Sequence, residues 1–298
     1  MFDAMPQLML PSGLQLDVPD PKMMAASIQQ HRTTRSLLRQ GPNASTLDFE
    51  ELEYGLFDAA DQIARYQFLN TVGQVLTSPD SSPERQVQFQ KHCDFLAGGD
   101  VLWFLIPCPP RRLTTDDEER FKFDLNVVRP YLREAINSKK RRRPCSVAIV
   151  LTKVDAGFES EEEARAQLPD SRLLQLLGTV VNVVKGAPDA RVSHAAIFPV
   201  SAFGFDNALQ IETETPATTD WDHLSFELSE PAYRLKPGAS FGAFNIPALV
   251  TWSMLGGLWH QEVNSHDFDD PLATASRSLC ADLEAMSAWF VPIKGELV

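Results

Sequence analysis

The stretch Ser146–Thr152, SVAIVLT, is an apolar and largely β-branched run that stops at Thr-Lys-Val-Asp. A strand with one wet face alternates polar and apolar residues; a run without alternation predicts a strand covered on both faces. Four strands are clearest: YGLFDA near Tyr54, DVLWFLIPC from Asp100, SVAIVLT from Ser146 and AAIFPVSA from Ala195. Three of them are runs of this kind. Between them lie longer charged stretches. Thr114–Lys140 begins with threonines and acids and ends in lysines, the polarity a helix dipole favours, and Pro130 is expected to kink or divide it. Glu159–Gly186 is expected to be a second helical stretch, broken at Pro169. Strands separated by helices predict an α/β fold with a mainly parallel open sheet flanked by helices.

The composition changes after Gly204. Asp206–Glu230 holds seven acids and no Lys or Arg, so residues 206–240 are expected to be an exposed acidic connection between a domain at 1–205 and a C-terminal helical extension at 241–298. In that extension Phe244–Trp259 is too apolar to stay exposed. It is expected to pack back on the sheet or to form a partner surface. Trp252 and Trp259 are seven apart, on one helix face, which suits core packing better than interface anchoring. Leu279, Leu283, Met286 and Phe290 keep helical spacing through Asp270–Val291. No window offers ~18 uninterrupted apolar residues, and the N-terminus lacks the order of a signal peptide. Four scattered cysteines without a C-x-x-C pair fit a reducing compartment, so a cytoplasmic location is expected. A net charge of −13 repels nucleic acid and anionic membranes.

In an open α/β sheet, ligands bind beyond the carboxyl ends of the strands. The polar residues there are Asp58 after YGLF, Thr152-Lys153-Val154-Asp155 after VAIVL, and Ser201-Ala202 after IFPV. Asp155 is also a candidate N-cap of the next helix and Lys153 a candidate solvated charge. In this order the three endings resemble the Ras-like P-loop GTPases of the translation-factor-related class, with their D-x-x-G, [NT]-K-x-D and S-A motifs, over roughly residues 8–205. The resemblance implies that the Asp155 carboxylate accepts two hydrogen bonds from guanine, a pairing adenine cannot offer. It implies that the stem of Lys153 lies across the purine, that Thr152 braces the neighbouring loop, and that Ser201-Ala202 places a backbone N–H on guanine O6. GDP or GTP with Mg²⁺ is the ligand so implied.

The phosphate end departs from the family. G-x-x-x-x-G-K-[ST], whose glycine N–H groups and lysine cradle the phosphates, occurs nowhere in the chain. Lys22 stands where the lysine would, but Pro19 and Pro21 lack N–H donors, Asp17 and Asp20 oppose phosphate, and Met23 replaces the Mg²⁺-binding hydroxyl. Leu14–Arg32 is otherwise an ordinary N-terminal loop, or the chain starts downstream of a lost or separately encoded P-loop. Asp58 is retained, which in the family supports Mg²⁺ through water, as is Gln62, at the position of the water-orienting glutamine; Asp61 takes the place of the glycine that contacts the γ-phosphate. Thr33 or Thr34 stands at the distance of a switch threonine. Since phosphoryl transfer is mostly positioning and electrostatic stabilisation, these losses imply a catalytically degenerate pseudo-GTPase. It would act as a regulatory or scaffold subunit by presenting Gln62–Gly73 and the following loop to a protein partner. The alternatives are a GTP hydrolase completed by an atypical loop or a partner chain, and an unrelated α/β protein.

Other features carry less. Lys139–Pro144, KKRRRP, is either a phosphate or acidic-partner patch or, the favoured reading, the solvated end of a helix. His260–Asp270 has the elements of a divalent-cation site, but loop acids near two histidines more commonly face solvent. No G-x-S-x-G elbow is present, which disfavours a Ser/His/Asp hydrolase.

Overall fold

The computed structural model describes residues 7–17, 50–59, 61–70, 83–111, 113–201, 204–205, 208–211, 232–235, 243–260 and 271–295. Strands β1 (Gln7–Met9), β2 (Gln15–Asp17), β3 (Glu50–Asp58) and β4 (Asp61–Asn70) come first. Helix α1 (Pro83–Leu96), β5 (Val101–Pro107), α2 (Thr115–Asn137), β6 (Cys145–Thr152), α3 (Val154–Gly157), α4 (Glu161–Gln167), α5 (Arg172–Lys185) and β7 (Val192–Pro199) follow. A small ribbon, β8 (Ala208–Ile211) with β9 (Ala232–Leu235), precedes α6 (Ile246–Trp259), α7 (Pro271–Ala285) and β10 (Val291–Lys294).

The three apolar runs form one sheet in the order β10-β7-β6-β5. β5 and β7 both run parallel to β6, with Pro107 opposite Thr152 and Leu151 opposite Pro199, so their carboxyl ends share one edge. β10 closes the β7 side antiparallel. The fold is therefore α/β with a mostly parallel four-stranded sheet flanked by helices. Alternate residues of β6 face opposite cores. Cys145, Val147, Ile149 and Leu151 join α2 and α5 on one face. Ala148 and Val150 join α6, α7 and the β1–β4 sheet on the other.

α2 starts with a capping box in which Thr114 Oγ1 accepts from Asp117 N and the Asp117 carboxylate accepts from Thr114 N. Pro130 does not divide it: one 23-residue helix runs through that position. The break at Pro169 occurs, as a 3-10 turn (Leu168–Asp170) between α4 and α5. The extension is not wholly helical, because the chain leaves α7 at Ala285 and returns as β10.

α6 is the middle layer of the second core. Twelve of its 14 residues are buried, which leaves no polar face. Its hydroxyls are satisfied internally: Thr251 donates to Pro247 O, and Ser253 donates to Leu249 O while accepting from Trp103 Nε1. Two adjacent glycines let it approach both neighbours. A Cβ at Gly256 would lie 2.9 Å from Ser146 Oγ on the parallel sheet, and one at Gly257 would lie 3.3 Å from the Tyr66 ring on β4. Tyr66 in turn donates to Met254 O. α7 covers the rest, and its buried Asp282 accepts from both the N–H and the hydroxyl of Ser12, fixing the β1–β2 turn to the helix.

β3 is not a strand of the parallel sheet, contrary to the sequence-based expectation. It pairs antiparallel with β2 and with β4, matched from Glu50–Asn70 to Asp58–Asp61. The physical reason is local: residues on both sides of Ala59 favour strand and are close enough in sequence to zip into a hairpin. Ala59 opens the two-residue turn at φ 51, the left-handed geometry that matches strand twist in tight hairpins.

The basic run after α2 is solvated at Lys139, Lys140, Arg142 and Arg143, as expected of a helix end, and departs from that at one residue. Arg141 is buried and donates to Ala135 O, Gly99 O and Leu96 O, carbonyls at and just after the end of α1 and in the last turn of α2. Arg191 donates to Ser138 O and Arg141 O, tying the same corner to the start of β7.

Two glycine substitutions separate packing from propensity. Gly178→Ala in α5 meets nothing within 4 Å and is expected to stabilise the protein by about 0.5–1 kcal/mol in urea unfolding. Gly256→Ala gains the same propensity but is expected to lower stability, because overpacking costs about 1–3 kcal/mol where α6 meets Ser146.

Candidate functional site

The carboxyl edge of β5–β7 gathers Thr152, Lys153, Asp155 and Ser201. β6 ends at Thr152, whose carbonyl accepts from Cys108 N at 2.7 Å, so the loop after β5 is tied to the end of β6. Val154 N donates to Val200 O, and Val200 N donates to Leu151 O, which ties the end of β6 to the end of β7. The edge is thus a backbone-bonded shelf of three strand ends. Lys153 sits at the junction with φ 57, ψ 38 and makes no side-chain cap to α3. A left-handed lysine costs about 1 kcal/mol or more, and such strain persists only where surrounding bonds overdetermine the chain. The N-cap position of α3 is therefore Lys153 and not Asp155; Asp155 lies in the first turn, half-buried.

Beneath that turn lies Cys108. Burial first, and the Asp155 carboxylate second, push its thiol up to about 12. It stays protonated at neutral pH and offers no nucleophile. Gly157 is fitted against it: a Cβ there would be 2.6 Å from Cys108 Sγ and 3.1 Å from Pro109 O. Arg111 completes the clamp, with its N–H donating to Ala156 O and its guanidinium paired with Glu159 and with Glu163 at 2.7 Å.

Ser201 is fully buried and turned into its own loop, where its hydroxyl accepts from Gly204 N at 3.0 Å. Its backbone exchanges two hydrogen bonds with Phe244, just before α6. Asn245 holds that junction in the left-handed region, φ 59. Its amide donates to Pro199 O and Trp289 O and accepts from Trp289 N, joining β7, α6 and the segment before β10. Phe205, Phe244 and Trp289 pack in series over the joint, and the Arg165 guanidinium lies 5.3 Å from the Trp289 ring centre.

Thr152, Lys153, Asp155 and Ser201 are brought together. Asp58, Asp61 and Gln62 are not part of this edge: they flank the β3–β4 hairpin turn, exposed, with Gln62 Nε2 donating to Ala64 O. That follows from β3 belonging to the antiparallel sheet. Lys22, Thr33, Thr34 and Ala202 lie outside the described residues, as do most of the acidic connection and Gln261–Asp270. Sequence reasoning missed Cys108, Arg111, Gly157 and Asn245. The Cys108 signal was legible in principle, since IPC ends an apolar run as VLT does. Nothing in the sequence marked Asn245 as the joint.

The clamp under Asp155 is testable by a double-mutant cycle in urea. Gly157→Ala is expected to cost about 1–3 kcal/mol, and Cys108→Ala in the same chain to recover part of it, with a coupling of about 0.5–3 kcal/mol. Additive effects would mean that the two residues do not touch. Against models of protein families, curated proteins and solved structures, the chain matches none, so the chemistry of this edge rests on its own residues.

Proposed function

We propose that the chain is a catalytically degenerate, GTPase-like interaction protein whose β5–β7 edge binds a guanine base weakly. The observation that carries this reading is the strained Lys153 between Thr152 and Asp155, backed by the Ser201 loop on the next strand. In this arrangement the Asp155 carboxylate accepts from the N–H edge of guanine and the lysine stem lies against the ring. The partner is another protein, since a net charge of −13 disfavours nucleic acid and no helix among the described residues is long and apolar enough to cross a membrane.

The hydrolase alternative is the weaker one. It needs Asp58 and Gln62 at the phosphate end of a nucleotide held on this sheet, and they stand on a hairpin of the other sheet. It also needs a phosphate cradle, and the chain has no P-loop sequence.

Calorimetric titration with GDP, GTP and ADP, with and without Mg²⁺, tests the reading. Guanine-selective binding with a dissociation constant of about 0.1–1 mM is expected, roughly −4 to −5.5 kcal/mol. Asp155→Ala is expected to weaken it at least about tenfold, the worth of one charge-assisted hydrogen bond. No binding at millimolar nucleotide, or equal binding of ADP, overturns the base site. GTP turnover that Asp58→Ala or Gln62→Ala abolishes would restore the hydrolase.

A further inference from the structure

The opposite end of the parallel sheet holds a cluster the nucleotide reading does not use. His260 caps the carboxyl end of α6, with Nε2 3.4 Å from Ser146 Oγ and 3.5 Å from Ser193 Oγ, at the starts of β6 and β7. His194, the next residue of β7, is 8% exposed, as is His260. Its ring stands edge-on to Trp259, centroids 5.0 Å apart, and its Nδ1 has no hydrogen-bond partner. Gly295 seals the other side, where a Cβ would fall 2.9 Å from His194 Cδ2.

We propose that His194 and His260 form an acid-released latch: neutral, they seal the carboxyl end of α6 onto the amino ends of β6 and β7, and protonated, they drive that end off the sheet. The proposal is independent of any nucleotide. His194 is the trigger. A proton on Nδ1 would create an N–H without a protein acceptor and a cation in a buried site, a state the protein escapes by opening to solvent. His260 is the second site, because its two serine neighbours can turn lone pairs toward a protonated ring.

Among the described residues, the surrounding charges do not rescue the cation. Arg141 and Arg143, from the loop before β6, oppose charge on His260; Asp100, before β5, is the one carboxylate of the described residues acting in its favour. Arg143 also donates to His260 O. β6 contributes Cys145, whose thiol burial holds at about 11 and hence neutral. On β10, Lys294 is paired with Asp189 at 2.9 Å. α6 presents no charged side chain, and Tyr66 from β4 is a neutral phenol. Burial first lowers both histidines, and His260 lowers His194 further. With folded values below the ordinary ~6.5, the latch contributes its full stability above about pH 6.5. That contribution is lost as the pH falls from there toward the folded values. Release is confined to one end of α6, since the other is held by Asn245 and the Ser201–Phe244 bridge.

Hydrogen exchange on the full chain tests the latch, with rates at pH 7.5 and 5.5 corrected for intrinsic chemistry. Peptides covering the last two turns of α6 are expected to exchange several-fold faster at pH 5.5, a pH below the ordinary histidine value, while those of α5 keep their protection. His194→Phe is expected to remove the difference. In parallel, NMR titration of the histidine Cε1–H signals of the unmutated protein is expected to show two neutral rings at pH 7 that take up protons as α6 opens. An acid response unchanged in His194→Phe overturns the latch. So does His194 titrating near 6.5 with α6 still protected, and that measurement decides the matter even if the variant does not fold.

Discussion

A helix with no polar face has to be enclosed, and α6 imposes that demand on everything around it. One sheet can cover only one side of it. Ala148, Val150, Ala196 and Phe198 form its floor on the parallel sheet, while Tyr54, Leu56, Tyr66 and α7 form its roof. Each large side chain so enclosed, such as Leu249, Trp252, Leu255 and Leu258, contributes roughly 1.5–3 kcal/mol relative to exposure. The antiparallel sheet is accordingly not an appendage. Without it, half of α6 would lie open as an apolar surface. The Gly256–Gly257 pair is the local expression of this, one glycine for each neighbour.

That enclosure also connects the two ends of the parallel sheet. At about 1.5 Å per residue, 14 residues span roughly 20 Å, about the length of the strands α6 lies on. One end of the rod is Asn245, bonded to β7 where Ser201 begins its loop; the other is His260, set among serines and guanidinia. The ends differ in physical character. The carboxyl edge carries half-buried polar residues and a strained backbone, as ligand edges do. The amino end holds buried imidazoles and a buried guanidinium that serves helix carbonyls.

Much of this was legible because it is local. Apolar runs without alternation identified β5, β6 and β7, and Pro169 marked the break between α4 and α5. The polar residues that end β6 and follow β7, Thr152, Lys153, Asp155 and Ser201, fell on one edge as parallel topology requires, whereas Asp58 did not. What sequence could not supply was pairing across distance. YGLFDA reads as a strand in either sheet, and only the match of β3 to β4, through a turn opened by Ala59, assigns it to the antiparallel one. Arg141 was one of five consecutive basic residues with nothing to show that it alone would be buried. Pro130 does not divide α2: Leu125, Val128, Tyr131, Leu132, Ala135 and Ile136 are buried on both sides of it, and that packing outweighs the lost hydrogen bond.

Moving Asp58 to a hairpin changes the energetic problem at the proposed base edge. Charge-assisted phosphate contacts ordinarily provide much of a nucleotide's affinity, and an edge without them has to limit what binding costs. Among the described residues the edge is tied together. Its three strand ends are bonded to one another, Gly157 and Cys108 fix the turn under Asp155, and Phe244 holds Ser201 from behind. Little conformational entropy remains to be lost there, so a small number of polar contacts can yield measurable selectivity even at low affinity. The C-terminal segment, although far from Asp155 in sequence, is what makes that preorganisation available: Trp289 and Asn245 secure the loop, and α6 carries the load into the core.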